Sequence, residues 1–433
     1  MVDAKDNTPT RRALRMASMG AGVAGNYLGY FLQRAFVGKA EGERRLKTTH
    51  TRVARRLRDE MQLMRGPAMK LGQTLSLQAG ILPDETLAEL ASLQMEAPGM
   101  HPSLVRVQVK RSLGREPEEV FAKFAPEPFA AASLGQVHEA TTREHKRVAV
   151  KVQYPGIRET VENDFKWFRA VSKPAQASGH VPKEAIDELE NQMLAETDYR
   201  QEADNIDFFR EKLAELSFVE VPAVFREYSS DKVLTMSFVR GRHLEQFLAQ
   251  RPTQKQRDQL GTNLVELFYF QLLKVGAFHA DPHWGNYLFN NNATIGLVDF
   301  GCAKRLSPAA LAYLRNVFLY PGSRHSPEFR RILESNYRAK GKKLPAAAYR
   351  ALVSFSEKFY RNVYPPERDR HERFDFADKT FLTDYIREAT KLFRTKHVMS
   401  EYLFMARVEM GLYHTLHALK ARVPTSDIVR KYL

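Results

Sequence analysis

The pattern of apolar and polar positions along the chain predicts an α+β fold with three regions. Residues 1–120 show helical periodicity, and residues 121–240 contain strand-like alternation around one long helical insertion. Residues 241–433 return to helical periodicity. The clearest strand covers residues 147–152, where Val148, Val150 and Val152 share one face. We therefore predict a helical extension, a strand-rich lobe and a helix-dominated lobe with these boundaries.

The densest group of candidate catalytic residues lies between His279 and Gly301. An apolar, strand-like run separates Asn286 from Asp299, and Asp281 precedes Asn286 by five positions. Protein kinases place a catalytic Asp, a Mg²⁺-binding Asn, a short hairpin and the Mg²⁺-binding Asp of Asp-Phe-Gly in this order. The spacing predicts Asn286 and Asp299 as metal ligands and Asp281 as a general base or an orienter of the nucleophile.

Two other interpretations of this tract remain open. In the first, Asp281 and Asn286 are turn residues and Asp299 caps a strand. In the second, His279, Asp281 and His283 form a metal cluster, because imidazole and carboxylate ligands together suit Zn²⁺ or Fe²⁺. The second interpretation gives Asn286 and the Asp-Phe-Gly segment no role.

An upstream segment has the pattern of the nucleotide-binding half of a kinase. The Val-Ala-x-Lys sequence in the predicted strand puts Lys151 against the α- and β-phosphates of a nucleotide. The segment before it occupies the position of the glycine-rich phosphate loop but carries alanines, which disfavour the positive φ that glycine allows. A surface strand beside a small-residue turn is the alternative. The candidate nucleotide-binding residues of this segment are Ala130, Ala131, Ala132, Ser133, Gly135, Gln136 and Val137.

An acidic segment downstream supplies a candidate partner for Lys151. Residues 195–205 are polar, lack Gly and Pro, and follow an amphipathic run that starts at Pro182, so we predict a helix there. Glu202 is the predicted ion-pair partner of Lys151, in the position of the glutamate on the kinase C-helix. The alternative for any one of these acids is a solvated helix face.

A predicted hinge follows this helix. Residues 231–241 have the pattern of a buried strand that runs into a glycine turn. At this position in a kinase, backbone N–H and C=O groups contact adenine, which here assigns that role to Met236, Ser237 and Phe238. Backbone contacts leave no signature in residue type, so the prediction depends on position alone.

Ordered motifs along the chain resemble one kinase family. The motifs are Lys70-Leu-Gly-Gln73, Ala130-Ala-Ala-Ser-Leu-Gly-Gln-Val-His138, Val150-Lys-Val-Gln-Tyr-Pro-Gly156, Glu196-Thr-Asp198 and His279-Ala-Asp-Pro-His-Trp-Gly-Asn286. They resemble the UbiB/ADCK (ABC1/AarF) family of atypical kinases, from about residue 10 to the C-terminus. The resemblance implies an atypical protein-kinase-like two-lobe fold. It also implies an N-terminal helical extension that carries the Lys-x-Gly-Gln motif and covers the site where a kinase would receive a protein substrate.

The resemblance also implies a function. Members of the family support the biosynthesis of ubiquinone (coenzyme Q) through ATP binding and hydrolysis, so ATP or ADP and Mg²⁺ are the expected cofactors. The expected partners are an isoprenoid lipid or quinone precursor and other proteins of quinone biosynthesis. Two residues depart from the common pattern. Ser237 stands where a Glu often follows the hinge Met, and Trp284 stands where Pro is commoner.

The extension contains candidate regulatory residues. Lys70 and Gln73 share one face of a predicted helix, and Gly72 permits close backbone approach. A lysine and a glutamine on an otherwise apolar helix are costly to bury without partners. We predict that Lys70 pairs with Glu196, near Asp198, so that the extension acts as a lid. A solvent-facing Lys70 is the alternative.

Composition narrows the choice of partners and compartment. The net charge is +15 and the pI is about 9.7, which favours an anionic partner. No zinc knuckle, helix-turn-helix signature or aromatic-basic RNA motif is present, so no nucleic acid is expected. Lys and Arg outnumber Asp and Glu in residues 1–66, which fits an anionic membrane surface. Cys302 is the single cysteine of the chain, which excludes internal disulfides and fits a reducing compartment.

An uncharged segment at residues 16–33 is a candidate for contact with a membrane. Ala21, Gly25 and Gly29 have small-xxx-small spacing, and the segment is long enough to cross a bilayer. Its glycines, Asn26 and Gln33 make it a poor span, so we favour a close-packing or membrane-touching helix. No secretory signal is predicted. We expect a cytoplasmic protein of bacterial type that associates peripherally with the inner face of a membrane.

Two classes of function follow from these residues. The first is an ATP-dependent kinase or ATPase with an unknown phosphate acceptor, in which Lys151 and Glu202 orient the phosphates. The second is a nucleotide-gated lipid-binding or chaperone-like module that transfers no phosphate. Because a scaffold needs neither Asp281 nor Asn286, the sequence favours the first.

Overall fold

A computed structural model describes residues 18, 22, 26, 39–64, 89, 100–132, 134–177, 183–281, 284–339, 341–363, 372–395 and 400–433. The chain divides into two compact units, residues 1–200 with 225–235 and residues 201–224 with 236–433. Helices and sheets are both present, which confirms the predicted α+β class. The division at residues 120 and 240 stays a prediction.

Several predicted residues lie outside the described part of the chain. They are Lys70, Gly72, Gln73, Ser133 and, apart from three positions, residues 16–33. Among the described residues, no helix is both long enough and apolar enough to cross a bilayer.

The regular elements are numbered here in chain order. The α-helices are α1 (Lys39–Met64), α2 (Pro102–Leu113), α3 (Pro117–Val120), α4 (Ile157–Ala177), α5 (Lys183–Ala195), α6 (Tyr199–Lys212), α7 (Leu244–Ala249), α8 (Gln254–Tyr269), α9 (Pro308–Leu319), α10 (Pro327–Ala339), α11 (Ala346–Val363), α12 (Lys379–Arg394), α13 (Ser400–Leu419) and α14 (Thr425–Tyr432). The strands are β1 (Lys123–Phe124), β2 (Ala130–Ala132), β3 (Gly135–Thr141), β4 (Arg147–Gln153), β5 (Val219–Glu220), β6 (Val233–Ser237), β7 (Ala277–His279), β8 (Tyr287–Phe289), β9 (Ile295–Leu297), β10 (Ala303–Arg305), β11 (Phe374–Asp375) and β12 (Arg422–Val423). A π-helix covers Phe270–Val275, and 3₁₀ turns cover Arg226–Tyr228 and Trp284–Asn286.

The first unit is built on a five-stranded sheet in the order β1-β3-β4-β6, with β2 paired to the other end of β3. The alternation predicted for β4 is confirmed, because Val148, Val150 and Val152 are fully buried on one face. They join a core cluster with Val105 and Val109 of α2. The opposite face of β4 therefore carries the side chains available for a site.

The helix predicted across residues 195–205 is wrong in one respect, because α5 ends at Ala195 and α6 starts at Tyr199. The Thr197 hydroxyl donates to the Leu194 carbonyl oxygen at 2.6 Å, which stabilises a turn after α5. The Asp198 carboxylate accepts from the Arg200 N–H at 3.0 Å and caps the new helix. Local side-chain bonds thus outcompete helix continuation.

The second unit contains short strands and a helical core. The β8–β9 hairpin carries β5 along its edge in parallel, and β7 pairs with β10 in antiparallel register. Helix α8 starts at a capping box between Thr253 and Gln256 and packs against α13, α14 and β12. The π-helix continues α8 as far as Val275, and Gly276, whose φ is 67°, caps its end.

A buried carboxyl group lies in the helical core of the second unit. Glu409 on α13 accepts hydrogen bonds from the hydroxyls of Tyr413 (3.0 Å) and Tyr269 (3.2 Å) at Oε1. Its Oε2 accepts from the Tyr385 hydroxyl at 3.2 Å. The carboxyl group thus links α8, α12 and α13.

Candidate functional site

Strand β4 of the first unit positions the predicted phosphate-binding lysine. Lys151 is only 6% exposed, and its Nζ lies 5.1 Å from the centroid of the Tyr199 ring. Because Val137 on β3 is its partner in the ladder, Lys151 lies beside the alanine-rich hairpin. The first unit therefore brings together Lys151, the hairpin and the start of α6.

The alanine-rich segment forms a regular hairpin. Ala130, Ala131 and Ala132 pair with Val137, Gln136 and Gly135 in antiparallel register. None of the three alanines has a positive φ. The segment thus adopts the extended backbone that alanine favours, and its contact with a nucleotide stays a prediction.

Gly135 is required by close packing. A Cβ at this position would lie 2.4 Å from the Val152 carbonyl oxygen and 2.8 Å from the Tyr199 hydroxyl oxygen. Both distances are shorter than a carbon atom allows, and the first involves backbone that cannot move freely. Gly135 therefore makes room for Tyr199 on this face of the sheet.

We expect Gly135→Ala to destabilise the protein by about 1–3 kcal/mol, the usual cost of overpacking a well-packed site. Ala131→Ser on the same hairpin is the matched control, because Ala131 is exposed and the change should stay within about 0.5 kcal/mol. Urea unfolding of the two variants and the wild type measures the difference. Equal stability of Gly135→Ala and wild type would contradict the packing argument.

Gln136 has a structural partner at each end of its side-chain amide. Its Oε1 accepts from the Met100 N–H at 2.6 Å, and its Nε2 lies 2.7 Å from Nε2 of His138. The other ring nitrogen of His138, Nδ1, lies 2.8 Å from the Ala125 carbonyl oxygen. Because the Gln136 Nε2 can only donate, His138 Nε2 accepts while Nδ1–H donates to the carbonyl oxygen, and burial lowers the pKa of His138 in the same direction. The Gln136 side chain joins Met100 to β3, and nucleotide binding at Gln136 stays a prediction.

The turn between α5 and α6 is tied to the end of β4. The Gln153 amide donates to the Thr197 carbonyl oxygen at 2.8 Å. Glu196 in this turn is buried, whereas Asp198 is half-buried and caps α6. Asp198 thus has a structural role that the sequence analysis did not assign, and the pairing of Glu196 with Lys70 stays a prediction.

The predicted hinge begins in β6. The Ser237 N–H donates to the Ala223 carbonyl oxygen at 2.8 Å, and the Ser237 hydroxyl accepts from the Ala223 N–H at 2.9 Å. Ser237 therefore uses its own N–H and hydroxyl to bind a neighbouring segment. Met236 is buried and Phe238 is half-buried. Adenine contacts at residues 236–238 stay a prediction, with the Ser237 N–H already engaged.

The β8–β9 hairpin of the second unit brings the predicted metal ligands to one end. Beyond the last ladder pair, the Val298 N–H donates to the Asn286 carbonyl oxygen at 3.0 Å. Asp299 is therefore one residue from the position that pairs with Asn286. The apolar run between them is the hairpin that the sequence predicts.

The backbone of Asp299 is in the left-handed region, with φ of 64°. Its Oδ1 accepts from the Gly301 N–H at 3.2 Å, and its carbonyl oxygen lies 2.5 Å from Nε2 of His279. His279 is itself held by its backbone N–H, which donates to Gln271 Oε1 at 2.8 Å. A positive φ is uncommon outside glycine, although Asp tolerates it better than most residues, and such conformations cluster at functional sites.

Three residues on one face of α6 contact Phe300, the residue after Asp299. Glu202 Oε1 accepts from the Phe300 N–H at 3.2 Å, and Asn205 Nδ2 donates to the Phe300 carbonyl oxygen at 3.0 Å. The Phe209 ring packs against the Phe300 ring with centroids 5.5 Å apart. Glu202 is 1% exposed. Lys151 belongs to the first unit and Glu202 to the second, and their ion pair stays a prediction.

Asp281 follows β7 and is half-buried. The Ala280 N–H donates to the Cys302 carbonyl oxygen at 2.9 Å, which fixes the backbone next to Asp281. Burial, with a smaller contribution from the charge of Asp281, raises the pKa of Tyr287. The carboxylate therefore lies near a tyrosine that stays protonated, and its role as base stays a prediction.

The chemistry of Asp299 and Asn286 fits Mg²⁺. Both residues offer oxygen ligands, the type that Mg²⁺ prefers. Asn286 is 8% exposed, and its Nδ2 has no hydrogen-bond partner among the described residues. Because Mg²⁺ would bind this amide through Oδ1, the unpaired Nδ2–H donor is suited to an acceptor such as a phosphate oxygen.

The alternative metal cluster gains no support from the described residues. Within them, no group of three or more His, Cys, Asp or Glu side chains is arranged to hold a metal ion. His279 uses Nε2 to donate to the Asp299 carbonyl oxygen, which leaves Nδ1 as its one potential ligand atom. His283 lies outside the described residues.

Several residues that hold the candidate site have no such role in the predictions from sequence. The sequence suggests His279 only as a possible metal ligand, although a polar residue inside an apolar strand is a signal of a buried hydrogen bond. Tyr199, Asn205 and Gln271 gave no such signal, because their partners are distant in sequence.

Comparisons with known proteins identify a family for this chain. Residues 92–327 match the family model described as the ABC1 atypical kinase-like domain. The chain is 27% identical over 394 residues to the mitochondrial atypical kinase COQ8 of Saccharomyces cerevisiae, covering 88% of this chain and 76% of that one. It is 34% identical over 272 residues to the chloroplastic protein ACTIVITY OF BC1 COMPLEX KINASE 8 of Arabidopsis thaliana.

That match covers 60% of this chain and 36% of the Arabidopsis protein, so this chain spans little more than a third of that relative. Among solved structures, the complex of Rv3197 with erythromycin from Mycobacterium tuberculosis is similar, with a TM-score of 0.60 and 25% identity. That likeness covers 86% of this chain and 93% of the Mycobacterium protein. Since the family model covers more than half of the chain, the protein belongs to the ABC1 (UbiB/ADCK) family of atypical kinases.

Proposed function

We propose that this protein is a Mg-ATP-dependent kinase or ATPase that supports the biosynthesis of ubiquinone or a related isoprenoid lipid at a membrane surface. The observation that carries the proposal is the end of the β8–β9 hairpin. There Asn286 and Asp299 are one residue from direct pairing, and Asp299 adopts a positive φ. If these were only turn residues, nothing would require the strained backbone of Asp299 or the buried side-chain amide of Asn286.

In this proposal Asp299 and Asn286 hold Mg²⁺ through oxygen atoms. The ion, when bound with a nucleotide, would neutralise phosphate charge. His279 and Gly301 hold the Asp299 backbone and carboxylate in place, and Asp281 accepts a proton from the nucleophile or orients it.

The nucleotide role of the first unit is supported by Lys151 and its surroundings. A buried lysine beside a small-residue hairpin offers a fixed positive charge for phosphate oxygens. The hairpin alanines limit how far the backbone can fold over a nucleotide. This limit favours hydrolysis or transfer to a small acceptor over the phosphorylation of proteins.

The lipid and membrane parts of the proposal have a separate basis. The net charge of +15 favours an anionic surface, and the yeast relative named COQ8 is a mitochondrial atypical kinase. The erythromycin complex concerns the Mycobacterium protein alone. We therefore propose a quinone precursor or isoprenoid lipid as the molecule that the nucleotide cycle serves, together with quinone-biosynthesis proteins.

The test is turnover by the full chain. We expect Mg²⁺-dependent release of phosphate from ATP that increases with anionic vesicles containing an isoprenoid quinone precursor. Intact mass of the protein and of candidate acceptors then distinguishes a kinase from an ATPase. Mg-ATP binding without phosphate release or a phosphorylated product would instead support the nucleotide-gated module.

A further inference from the structure

The space around the Lys151 ammonium contains an aromatic ring that the kinase pattern does not include. The Lys151 Nζ lies 5.1 Å from the centroid of the Tyr199 ring, a distance at which a cation is attracted to the face of the ring. Tyr199 is 1% exposed and Lys151 is 6% exposed, so bulk water does not screen the contact. Such contacts are strongest when both partners are desolvated.

The position of the ring is fixed from several sides. The Tyr199 N–H donates to the Asp231 carbonyl oxygen at 3.2 Å, and Asp198 before it caps α6. The space that accommodates the hydroxyl end exists because residue 135 has no side chain. Tyr199 is thus the first residue of α6, held by backbone bonds and by close packing.

We propose that Tyr199 is a positioning residue for Lys151. The ring holds the ammonium on the face of the sheet that also carries Gly135 and Val137, and it reduces the number of conformations open to the flexible Lys151 side chain. Because Tyr199 belongs to the first turn of α6, the position of the Lys151 ammonium depends on the position of that turn. This role rests on the proposed nucleotide binding by Lys151.

The experiment compares two substitutions at Tyr199 in the full chain. We expect Tyr199→Leu to weaken Mg-ATP binding about 2- to 30-fold, the range for loss of a cation–π contact. Tyr199→Phe keeps the ring without adding volume and should stay within about twofold of wild type. Isothermal titration measures the affinities.

A second readout needs no nucleotide. The rate at which an amine-reactive acylating reagent labels Lys151, followed by peptide mass spectrometry at one fixed pH, should increase in Tyr199→Leu and not in Tyr199→Phe. Tyr228→Leu is the control for general destabilisation, because Tyr228 is a buried aromatic residue in the core cluster of the same unit. That variant should label Lys151 at the wild-type rate.

The outcomes separate this proposal from the proposed function. Failure of the wild type to bind Mg-ATP would overturn the proposed function, whereas the labelling rates would still test Tyr199. Equal labelling of Lys151 in wild type and Tyr199→Leu would overturn the role of Tyr199. Faster labelling in Tyr228→Leu, to the same extent as in Tyr199→Leu, would also overturn it by indicating a general structural effect.

Discussion

Asp299→Asn should abolish Mg-ATP binding and turnover while leaving the fold intact. In the proposed site a neutral amide would remove the charge that faces Mg²⁺, and the loss should reach at least about 100-fold, because removing an outer-shell partner of a metal already costs 10- to 100-fold. Asn tolerates the left-handed backbone as well as Asp does, and its side-chain oxygen can still accept from Gly301. The variant is therefore a matched replacement in shape and backbone preference.

Isothermal titration with Mg-ATP, and with ATP plus a chelator, measures the effect. Asp384→Asn is the control, since Asp384 is a half-exposed residue of α12 that pairs with Arg387. ATP without Mg²⁺, measured in the presence of the chelator, should bind both variants and the wild type alike. Unchanged Mg-ATP affinity in Asp299→Asn would remove Asp299 from the metal site.

The second large effect concerns stability as a function of pH. Burial raises the pKa of Glu409 from 4.5 to about 7, although the hydroxyls of Tyr413 and Tyr385 oppose the shift by donating to the carboxylate. The folded state therefore binds a proton more tightly than the unfolded state. Burial of Glu409 therefore lowers the free energy of unfolding as the pH rises. This loss is absent below pH 4.5, grows between pH 4.5 and 7, and is complete above pH 7.

Glu409→Gln should remove this penalty. A shift from 4.5 to about 7 corresponds to about 3 kcal/mol. The free energy of unfolding of the variant, relative to wild type, should thus rise by about 3 kcal/mol between pH 4.5 and 8. Denaturant unfolding across that range, with both proteins at each pH, isolates the contribution of Glu409 from those of other groups.

Glu334→Gln provides a control of opposite sign. Hydrogen bonds from Arg330 and Arg338 lower the pKa of Glu334, so its stabilising contribution is present above the unfolded pKa and disappears as the pH falls. Its replacement should slightly reduce stability at neutral pH. A difference between Glu409→Gln and wild type that does not change with pH would contradict the predicted titration.

Elements with a regular period could be predicted from the sequence. The alternating valines of β4 have one arrangement that buries them together, and that arrangement directs Lys151 to the opposite face. The hairpin between Asn286 and Asp299 follows similarly from a short apolar run between polar residues. In both cases the pattern is local, so no distant partner has to be known.

The features that could not be predicted depend on contacts between segments that are distant in sequence. The amide of Gln136 bonds to Met100, which is 36 residues away. The hydrogen bond from His279 to Gln271 requires the π-helix, whose turn has no reliable sequence signal. The break between α5 and α6 depended on a close competition between helix propagation and capping by Asp198.

The hold of α6 on Phe300 has a consequence for chemical inhibition. A compound that needs the Phe300 backbone to flip together with its ring must break the hydrogen bonds to Glu202 and Asn205, which leaves buried polar groups unsatisfied. Each such loss costs about 1–3 kcal/mol, before the Phe209 contact is counted. Compounds that compete with the nucleotide and leave Phe300 in place avoid this cost. Screens against this protein should therefore favour them over compounds that bind a displaced Phe300.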